Sequence, residues 1–192
     1  MSRYIIGITG ASGSIYGIRL IEEILLRKHE ICLVMTDNGG KVISYETGIS
    51  VIEIIEHFPN REFLHIMDVN DLFQPIASGS FGHDGMAIVP CSMSTLAEIA
   101  CGLSKNLLSR AADVAIKERK KLILVPRETP LSPVHLRNML TLSESGVTIL
   151  PAMPAFYGRP SSIEELVDQI VGRIMEGLGI ENDLYHKWGK EL

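Results

Sequence analysis

Two short apolar runs, each followed by a polar cluster, constrain the fold more than any other feature of this sequence. Residues 86–89 and 122–125 read as buried strands, followed by P-C-S-M-S-T and P-R-E-T-P. Because ligands bind at the carboxyl ends of strands in a parallel sheet, we expect both clusters to face one crevice. The helical segments between the runs carry Lys105, Arg110 and Lys117. This stretch predicts a site that binds an anion and transfers protons.

The rest of the chain shows the same alternation of short apolar strands with helices. Strand patterns cover residues 4–8, 30–35, 62–67 (an edge strand) and 147–150, and helical patterns cover residues 15–27, 41–45, 50–56, 132–145 and the stretch after Ser162. This alternation predicts an α/β fold, a three-layer αβα sandwich around a Rossmann-like, mostly parallel sheet. A length of 192 residues suits a single domain over 1–192, with a C-terminal tail from about residue 179.

The turn after the first strand reads T-G-A-S-G-S over residues 9–14. Glycines allow a ligand close to the backbone, and the following helix offers unpaired N–H groups to an anion. The spacing of Gly7, Gly10 and Gly13 matches neither G-x-G-x-x-G nor a Walker loop. Two interpretations of Ser12 stay open, contact with a ligand and capping of the helix.

Further polar residues follow the second strand. Thr36 either binds a phosphate oxygen or caps a helix, and the glycine spacing argues against Asp37 as a ribose-binding acid. Glu46 is either a proton-transfer group or a solvated surface carboxylate. In the proline-rich loop at residues 151–160, Phe156 and Tyr157 either cover an apolar substrate or pack in the core or a subunit contact.

Composition excludes several classes of protein. The net charge of −5 argues against a general nucleic-acid binder, which is usually basic. The three cysteines lack C-x-x-C spacing, and no histidine, cysteine or aspartate cluster has metal-ligand spacing, so we expect no bound metal. No apolar run approaches the roughly 20 residues of a membrane span, and no signal peptide is recognised. A cytoplasmic protein is therefore expected.

Seven motifs follow one another along the chain: G-I-T-G-A-S-G-S-I-Y-G, L-V-M-T with Y-E-T nearby, A-S-G-S-F, P-C-S-M-S-T-L-A-E-I-A, L-L-S-R-A-A-D-V-A-I-K-E-R, V-P-R-E-T-P-L and P-A-F-Y-G-R-P. In their order and spacing they resemble the UbiX family of flavin prenyltransferases. The resemblance implies a flavoprotein that joins the prenyl group of dimethylallyl monophosphate to N5 and C6 of reduced FMN. The product would serve UbiD-type decarboxylases, and the protein would be a dodecamer with active sites at subunit contacts.

The resemblance also assigns residues. The flavin would be bound by Gly10, Ala11, Ser12, Thr36, Ser92, Met93, Ser94, Thr95 and Arg127, and the prenyl phosphate by Lys117, Arg127, Tyr157 and Arg173. Ser12, Glu46 and Glu128 would be catalytic, and Arg110 and Trp188 would lie near the site. Thr36 would hold the FMN phosphate, although the family often has serine there.

The chemistry fits these residue types. Arginine and lysine neutralise a leaving phosphate without a metal, and aromatic walls stabilise positive charge on the allyl carbon. Monophosphate leaves reluctantly, so a protonated carboxyl beside it would help. Dry surroundings raise the pKa of a buried glutamate and make it usable as an acid.

Three alternatives remain from the residues alone. A flavin-dependent cysteine decarboxylase shares the expected fold, but those enzymes use an early histidine and an asparagine motif where this chain has P-C-S-M-S-T, and R-E-T-P is present instead. A non-catalytic FMN-binding subunit of an aromatic acid decarboxylase, or a direct aromatic acid decarboxylase, would also carry a flavin site. Formation of product by the purified protein alone would separate a transferase from a flavin carrier.

Overall fold

Six parallel strands form one sheet, in the spatial order β3-β2-β1-β4-β5-β6, in the computed structural model, which describes residues 1–189. The strands are β1 (Arg3–Ile8), β2 (Glu30–Met35), β3 (Leu64–Met67), β4 (Gly85–Cys91), β5 (Leu122–Pro126) and β6 (Thr148–Ile149). The chain moves from β1 towards one edge through β2, then returns beside β1 as β4 and moves towards the other edge. The order therefore reverses between β1 and β4.

Helices cover both faces of this sheet. They are α1 (Ser14–Leu26), α2 (Asp37–Thr47), α3 (Val51–His57), α4 (Met93–Ala100), α5 (Leu107–Lys117), α6 (Pro133–Glu144) and α7 (Ile163–Leu178). Side chains of α1, α2, α3 and α7 join one apolar core, and those of α4, α5 and α6 join the other. Successive β1 residues alternate between the cores, with Ile6 in the first and Ile5 in the second. The predicted three-layer αβα sandwich is confirmed.

The structure corrects the bounds of several elements. Helix α2 begins at Asp37 rather than residue 41, because the Thr36 hydroxyl caps it and accepts a hydrogen bond from the Gly39 amide at 3.1 Å. Two consecutive glycines, which are poor helix formers, hid this start in the sequence. The edge strand β3 begins at Leu64, since residues 61–63 form a 3₁₀ turn, and β6 shortens to Thr148–Ile149.

The C-terminal tail returns along α7. Gly179 ends the helix with a φ of 85°, a conformation that favours glycine. The Asn182 side chain then donates a hydrogen bond to the Gly172 carbonyl at 3.0 Å, which turns the tail back against the helix. Among residues 1–189, no helix combines the length and apolarity needed to cross a membrane.

Candidate active site

The carboxyl ends of β1 and β4, where the strand order reverses, are joined by one buried hydroxyl. Thr9 is 1% exposed, and its hydroxyl donates to the Pro90 carbonyl at 2.9 Å and accepts from the Ser92 amide at 2.7 Å. Ligands of open α/β sheets bind in the crevice outside such a reversal. Thr9 therefore fixes the floor between the glycine turn and the P-C-S-M-S-T segment.

The glycine turn forms one wall of the crevice. A side chain at Gly10 would place its Cβ 2.7 Å from the Cβ of Asn38, so only glycine fits there. Gly13 has a φ of 97° and precedes α1 without a side-chain cap. Ser12 is exposed and does not cap α1, so the capping interpretation is wrong, and its side chain hydrogen-bonds Glu46 instead.

Glu46 takes the place of that missing cap. Its carboxylate accepts hydrogen bonds from the Gly13 amide at 3.0 Å, the Ser14 amide at 2.9 Å and the Ser14 hydroxyl at 2.7 Å. Burial opposes ionisation of Glu46, but hydrogen bonds from Ser12, Ser14 and these amides outweigh it and lower its pKa. The first amides of α1 are therefore directed at a carboxylate of the same chain rather than at a ligand phosphate.

The N-terminus of α2 remains available to an anion. Thr36 follows β2, its amide donates to the Ile8 carbonyl at 3.0 Å, and its hydroxyl accepts from Gly39. A hydroxyl that accepts one bond keeps its own hydrogen for an acceptor, so the cap and phosphate interpretations of Thr36 are compatible. Asp37 is exposed in the first turn of α2.

The P-C-S-M-S-T segment opens α4 at the end of β4. Ser92 caps the helix, accepting from the Thr95 amide at 3.2 Å and donating to the Thr95 hydroxyl at 3.1 Å. Met93 and Thr95 are buried, whereas Ser94 is exposed. Of the four residues assigned here to the flavin, Ser94 thus offers the most accessible hydroxyl.

Arg127 and Glu128 follow β5, one strand further along the same edge. With Thr129, Met139 and Met153 among other residues they line an open cavity of about 220 Å³. Both are exposed, and Glu128 accepts a hydrogen bond from the Thr129 amide at 3.1 Å. The dry surroundings expected around Glu128 are therefore not supplied by this chain alone.

Lys117 lies at the end of the sheet where the strands begin, opposite the carboxyl ends that carry Arg127. It ends α5, five residues before β5 begins, and its ammonium lies beside Gly79 and pairs with Glu118. Arg110, also on α5, donates to the Ala77 carbonyl at 3.1 Å and pairs with Asp113 at 2.7 Å. The sequence predicted that Lys117 and Arg110 would share a site with Arg127. Within one chain they do not lie beside it. The Lys105 ammonium lies 3.9 Å from a Glu98 carboxylate oxygen of α4.

Tyr157, Arg173 and Trp188 form a third cluster, on the outer side of α7. The Tyr157 and Trp188 rings meet edge to face with centroids 5.5 Å apart. Arg173 is largely exposed and lies 3.5 Å from Glu176. The Arg127 and Glu128 pair, Lys117 and the cluster around Arg173 are thus all open to solvent on a single chain.

Sequence reasoning missed two residues of the crevice. Thr9 directly follows an apolar strand, so its position at a strand end was a signal of the kind used for Thr36. Ser14 gave no signal, because its contact with Glu46 joins positions 32 residues apart. Within residues 1–189, no three histidine, cysteine, aspartate or glutamate side chains are grouped so as to hold a metal ion.

Comparisons with known proteins point to one family. A family model described as Flavoprotein matches residues 1–175. A flavin prenyltransferase UbiX of Halalkalibacterium halodurans is 47% identical, over 98% of this chain and 94% of that protein. Another, from Methanothermobacter thermautotrophicus, is also 47% identical, over 98% and 96% of the two chains.

Solved structures agree with the sequence comparison. The crystal structure of AnUbiX (PadA1) in complex with FMN and dimethylallyl pyrophosphate superposes with a TM-score of 0.92 at 40% identity, covering 98% of this chain and 97% of that one. A dodecameric FMN-dependent UbiX-like decarboxylase from Escherichia coli O157:H7 has a TM-score of 0.90 at 40% identity, with coverage of 97% and 98%. The peptidyl-cysteine decarboxylase EpiD, at 15% identity and a TM-score of 0.61, shares the fold alone.

Proposed function

The chain belongs to the UbiX family of flavin prenyltransferases, and on that premise we propose that it transfers a dimethylallyl group from dimethylallyl monophosphate to reduced FMN. Bonds form to N5 and C6 of the flavin, while the carbon–oxygen bond of the donor, the prenyl double bond and the N5–H and C6–H bonds break. Of the two protons released, one is added to the prenyl chain and the other leaves with inorganic phosphate. The observation that carries this proposal is the row of three adjacent strand ends, β2, β1 and β4, each opening a helix around one crevice.

The residues of this row fit FMN. Thr36 and the first amides of α2 offer donors to the phosphate of FMN, because the amides of α1 are taken by Glu46. Gly10 lets the glycine turn pack closely against Asn38 at the start of α2, which brings these two walls of the crevice together. When bound, reduced FMN supplies the electron-rich nitrogen and carbon that receive the prenyl group.

Side chains of this protein would carry out the proton transfers and assist the departure of phosphate. Glu46 is held ionised and is suited to accept a proton through Ser12, whose hydroxyl hydrogen-bonds it. Arg127 would neutralise the departing phosphate, and Glu128 would donate a proton to its bridging oxygen. The carbon–oxygen bond of the donor breaks with both electrons leaving on that oxygen.

Assembly completes the site in this proposal. Lys117 lies at the opposite sheet edge from Arg127, and the Tyr157 and Arg173 cluster lies on a third surface, so no single chain presents all four to one phosphate. A homo-oligomer, a dodecamer as in the Escherichia coli relative, would bring these surfaces together. Neighbouring chains would also enclose Glu128 and provide the dry surroundings that it lacks here.

A mass measurement tests the function. The purified protein would be mixed without metal and without oxygen with dithionite-reduced FMN and dimethylallyl monophosphate, and in parallel with the pyrophosphate. We expect the flavin to gain one five-carbon prenyl unit, with the monophosphate as the better donor. FMN that stays bound but unmodified with both donors would contradict the proposal and favour a flavin-binding subunit or a decarboxylase.

Two wider proposals follow from the family. The product would serve as the cofactor of a UbiD-type decarboxylase, and the enzyme would work in the cytoplasm. Transfer of the purified flavin product to an inactive UbiD-type decarboxylase, with recovery of its activity, would test the first.

A further inference from the structure

Glu176 on α7 is contacted by three polar side chains. One carboxylate oxygen accepts a hydrogen bond from the Tyr185 hydroxyl at 2.8 Å and lies 3.5 Å from the Arg173 guanidinium. The other oxygen lies 2.5 Å from the Lys187 ammonium. Burial opposes ionisation of Glu176, but the bonds from Lys187 and Tyr185 outweigh it and lower its pKa. The group is therefore a carboxylate at neutral pH.

These contacts connect the tail to the loop at residues 151–160. Tyr185 and Lys187 belong to the tail, and the next residue, Trp188, lies edge to face against Tyr157 of the loop. Glu176 is thus the point on α7 to which the end of the tail is attached. Arg173 and Lys187 carry two positive charges against one carboxylate, which leaves the cluster positively charged.

We propose that Glu176 is a positioning residue for the prenyl donor: it holds the tail so that Lys187 and Trp188 stay beside Tyr157 and Arg173. The inference rests on the proposed function, which gives Tyr157 and Arg173 a phosphate to bind. Glu176 does not touch that phosphate itself, since a carboxylate would repel it. Its effect is to fix the neighbouring donors before the phosphate arrives, which lowers the cost of ordering them on binding.

The test variant is Glu176→Gln, which keeps the size of the side chain and removes its charge. Trp188 is the single tryptophan of the chain, so its fluorescence anisotropy reports the motion of the tail alone. In protein loaded with oxidised FMN, which cannot react, calorimetry gives the Kd of dimethylallyl monophosphate without turnover. We expect lower anisotropy and a Kd that rises roughly tenfold, because the cost of ordering the released tail on binding exceeds the gain from removing a charge that repels phosphate.

Matched variants separate this role from general damage. Glu164→Gln removes an exposed carboxylate from the first turn of the same helix and should change neither readout. Glu176→Asp keeps the charge on a shorter stem and should recover part of the donor affinity. The affinity for FMN should be the same in all variants.

Each outcome decides the proposal. Unchanged anisotropy in Glu176→Gln would show that Glu176 does not hold the tail, and lower anisotropy with an unchanged Kd would show that the tail does not serve the donor. A wild-type protein that binds the donor but leaves FMN unmodified would contradict the proposed function, while the Kd comparison would still decide the role of Glu176. A wild-type protein that does not bind the donor would overturn both.

Discussion

Glu46 and Glu128, the two carboxylates assigned to proton transfer, have opposite surroundings. Glu46 is held by amides and a hydroxyl at the start of α1, whereas Glu128 is exposed and accepts one bond from the next residue. A carboxylate with several donors favours its ionised form, which is the form that can accept a proton. The structure of one chain therefore distinguishes a fixed carboxylate from one whose environment depends on neighbours.

Ser14→Ala tests how Glu46 is held. The change deletes one hydrogen bond to the carboxylate with little loss of volume, so the lowered pKa of Glu46 should rise towards its ordinary value of 4.5. Because Glu46 must be ionised to accept a proton, the acid limb of the pH–rate profile should move to higher pH. Loss of the bond should also cost about 1 kcal/mol of unfolding free energy near neutral pH.

The sign of the pH effect follows from linkage. A carboxyl whose pKa is lowered on folding stabilises the protein above its unfolded pKa and loses that contribution as pH falls. The stability difference between Ser14→Ala and wild type should therefore narrow in acid, as chemical denaturation at several pH values would show. Ser109→Ala, which removes an equally buried hydroxyl at the start of α5, should leave the pH–rate profile in place.

Gly79→Ala tests the support beneath Lys117. An added Cβ would lie 2.3 Å from a Glu118 carboxylate oxygen and 2.8 Å from the Lys117 ammonium. Both are ends of flexible side chains, so they should move while the fold persists. We expect a KM for the prenyl donor raised several-fold, since a charged hydrogen bond to phosphate is displaced, with kcat and FMN binding changed little. Gly82→Ala, where a Cβ meets nothing, is the control; equal KM values in both variants would contradict this role.

At the scale of elements, the starts of α1, α2 and α4 set the chemistry of the crevice. Each opens at the end of an adjacent strand, and each is capped differently, by Glu46, Thr36 and Ser92. A carboxylate at the first helix neutralises its amides, whereas a hydroxyl at the second leaves them open to an anion. The proposed placement of the FMN phosphate at α2 rather than α1 rests on this difference.

Thr36→Val removes the cap hydroxyl while keeping the shape of the side chain. The protein should lose about 1 kcal/mol of stability from the missing cap. Its affinity for FMN should fall on the order of tenfold, because a hydrogen bond to a charged phosphate is lost. Thermal denaturation and fluorescence titration with FMN would measure the two effects. Ser50→Ala removes the equivalent cap of α3 and should reduce stability without weakening FMN binding.

At the scale of the whole molecule, the assigned phosphate ligands lie on separate surfaces. Lys117 is at the edge where the strands begin, Arg127 is at the edge where they end, and Arg173 is on the outer side of α7. Large apolar side chains such as Phe156 and Met153 are also exposed, at 69% and 72%. Exposed apolar area of this kind is typical of surfaces that pack against other chains.

Mixed oligomers would test this arrangement. Lys117→Met and Arg127→Met should each lower kcat/KM on the order of a hundredfold, because each removes a charged contact to the donor phosphate. Co-expressed, the two variants should regain activity, since some sites then combine an intact Lys117 from one chain with an intact Arg127 from another.

Arg127→Met co-expressed with Glu128→Gln provides the control for that experiment. Arg127 and Glu128 are consecutive, so one chain supplies both of them to a site. Every site then lacks one of the two side chains, and activity should not return. Activity absent from the first pair would argue that one chain supplies both Lys117 and Arg127, and activity restored in the control would argue that Arg127 and Glu128 act from different chains.

The sequence alone determined the layers of the fold and the strand ends that carry the site. Short apolar runs alternating with helices can bury both faces only in a parallel sheet between two helical layers, and glycines, hydroxyls and arginine after those runs mark its carboxyl edge. The motifs then identified the family, because their order along the chain is itself a sequence property.

Only the tertiary structure decided how these residues are held. The residues alone left Glu46 as either a proton-transfer group or a surface carboxylate, and the fold placed it against Gly13 and Ser14, more than 30 residues earlier. Lys117 looked like a neighbour of Arg127 until the direction of α5 placed it at the other edge. Contacts between distant positions depend on how elements pack, and local patterns in a sequence carry no information on that packing.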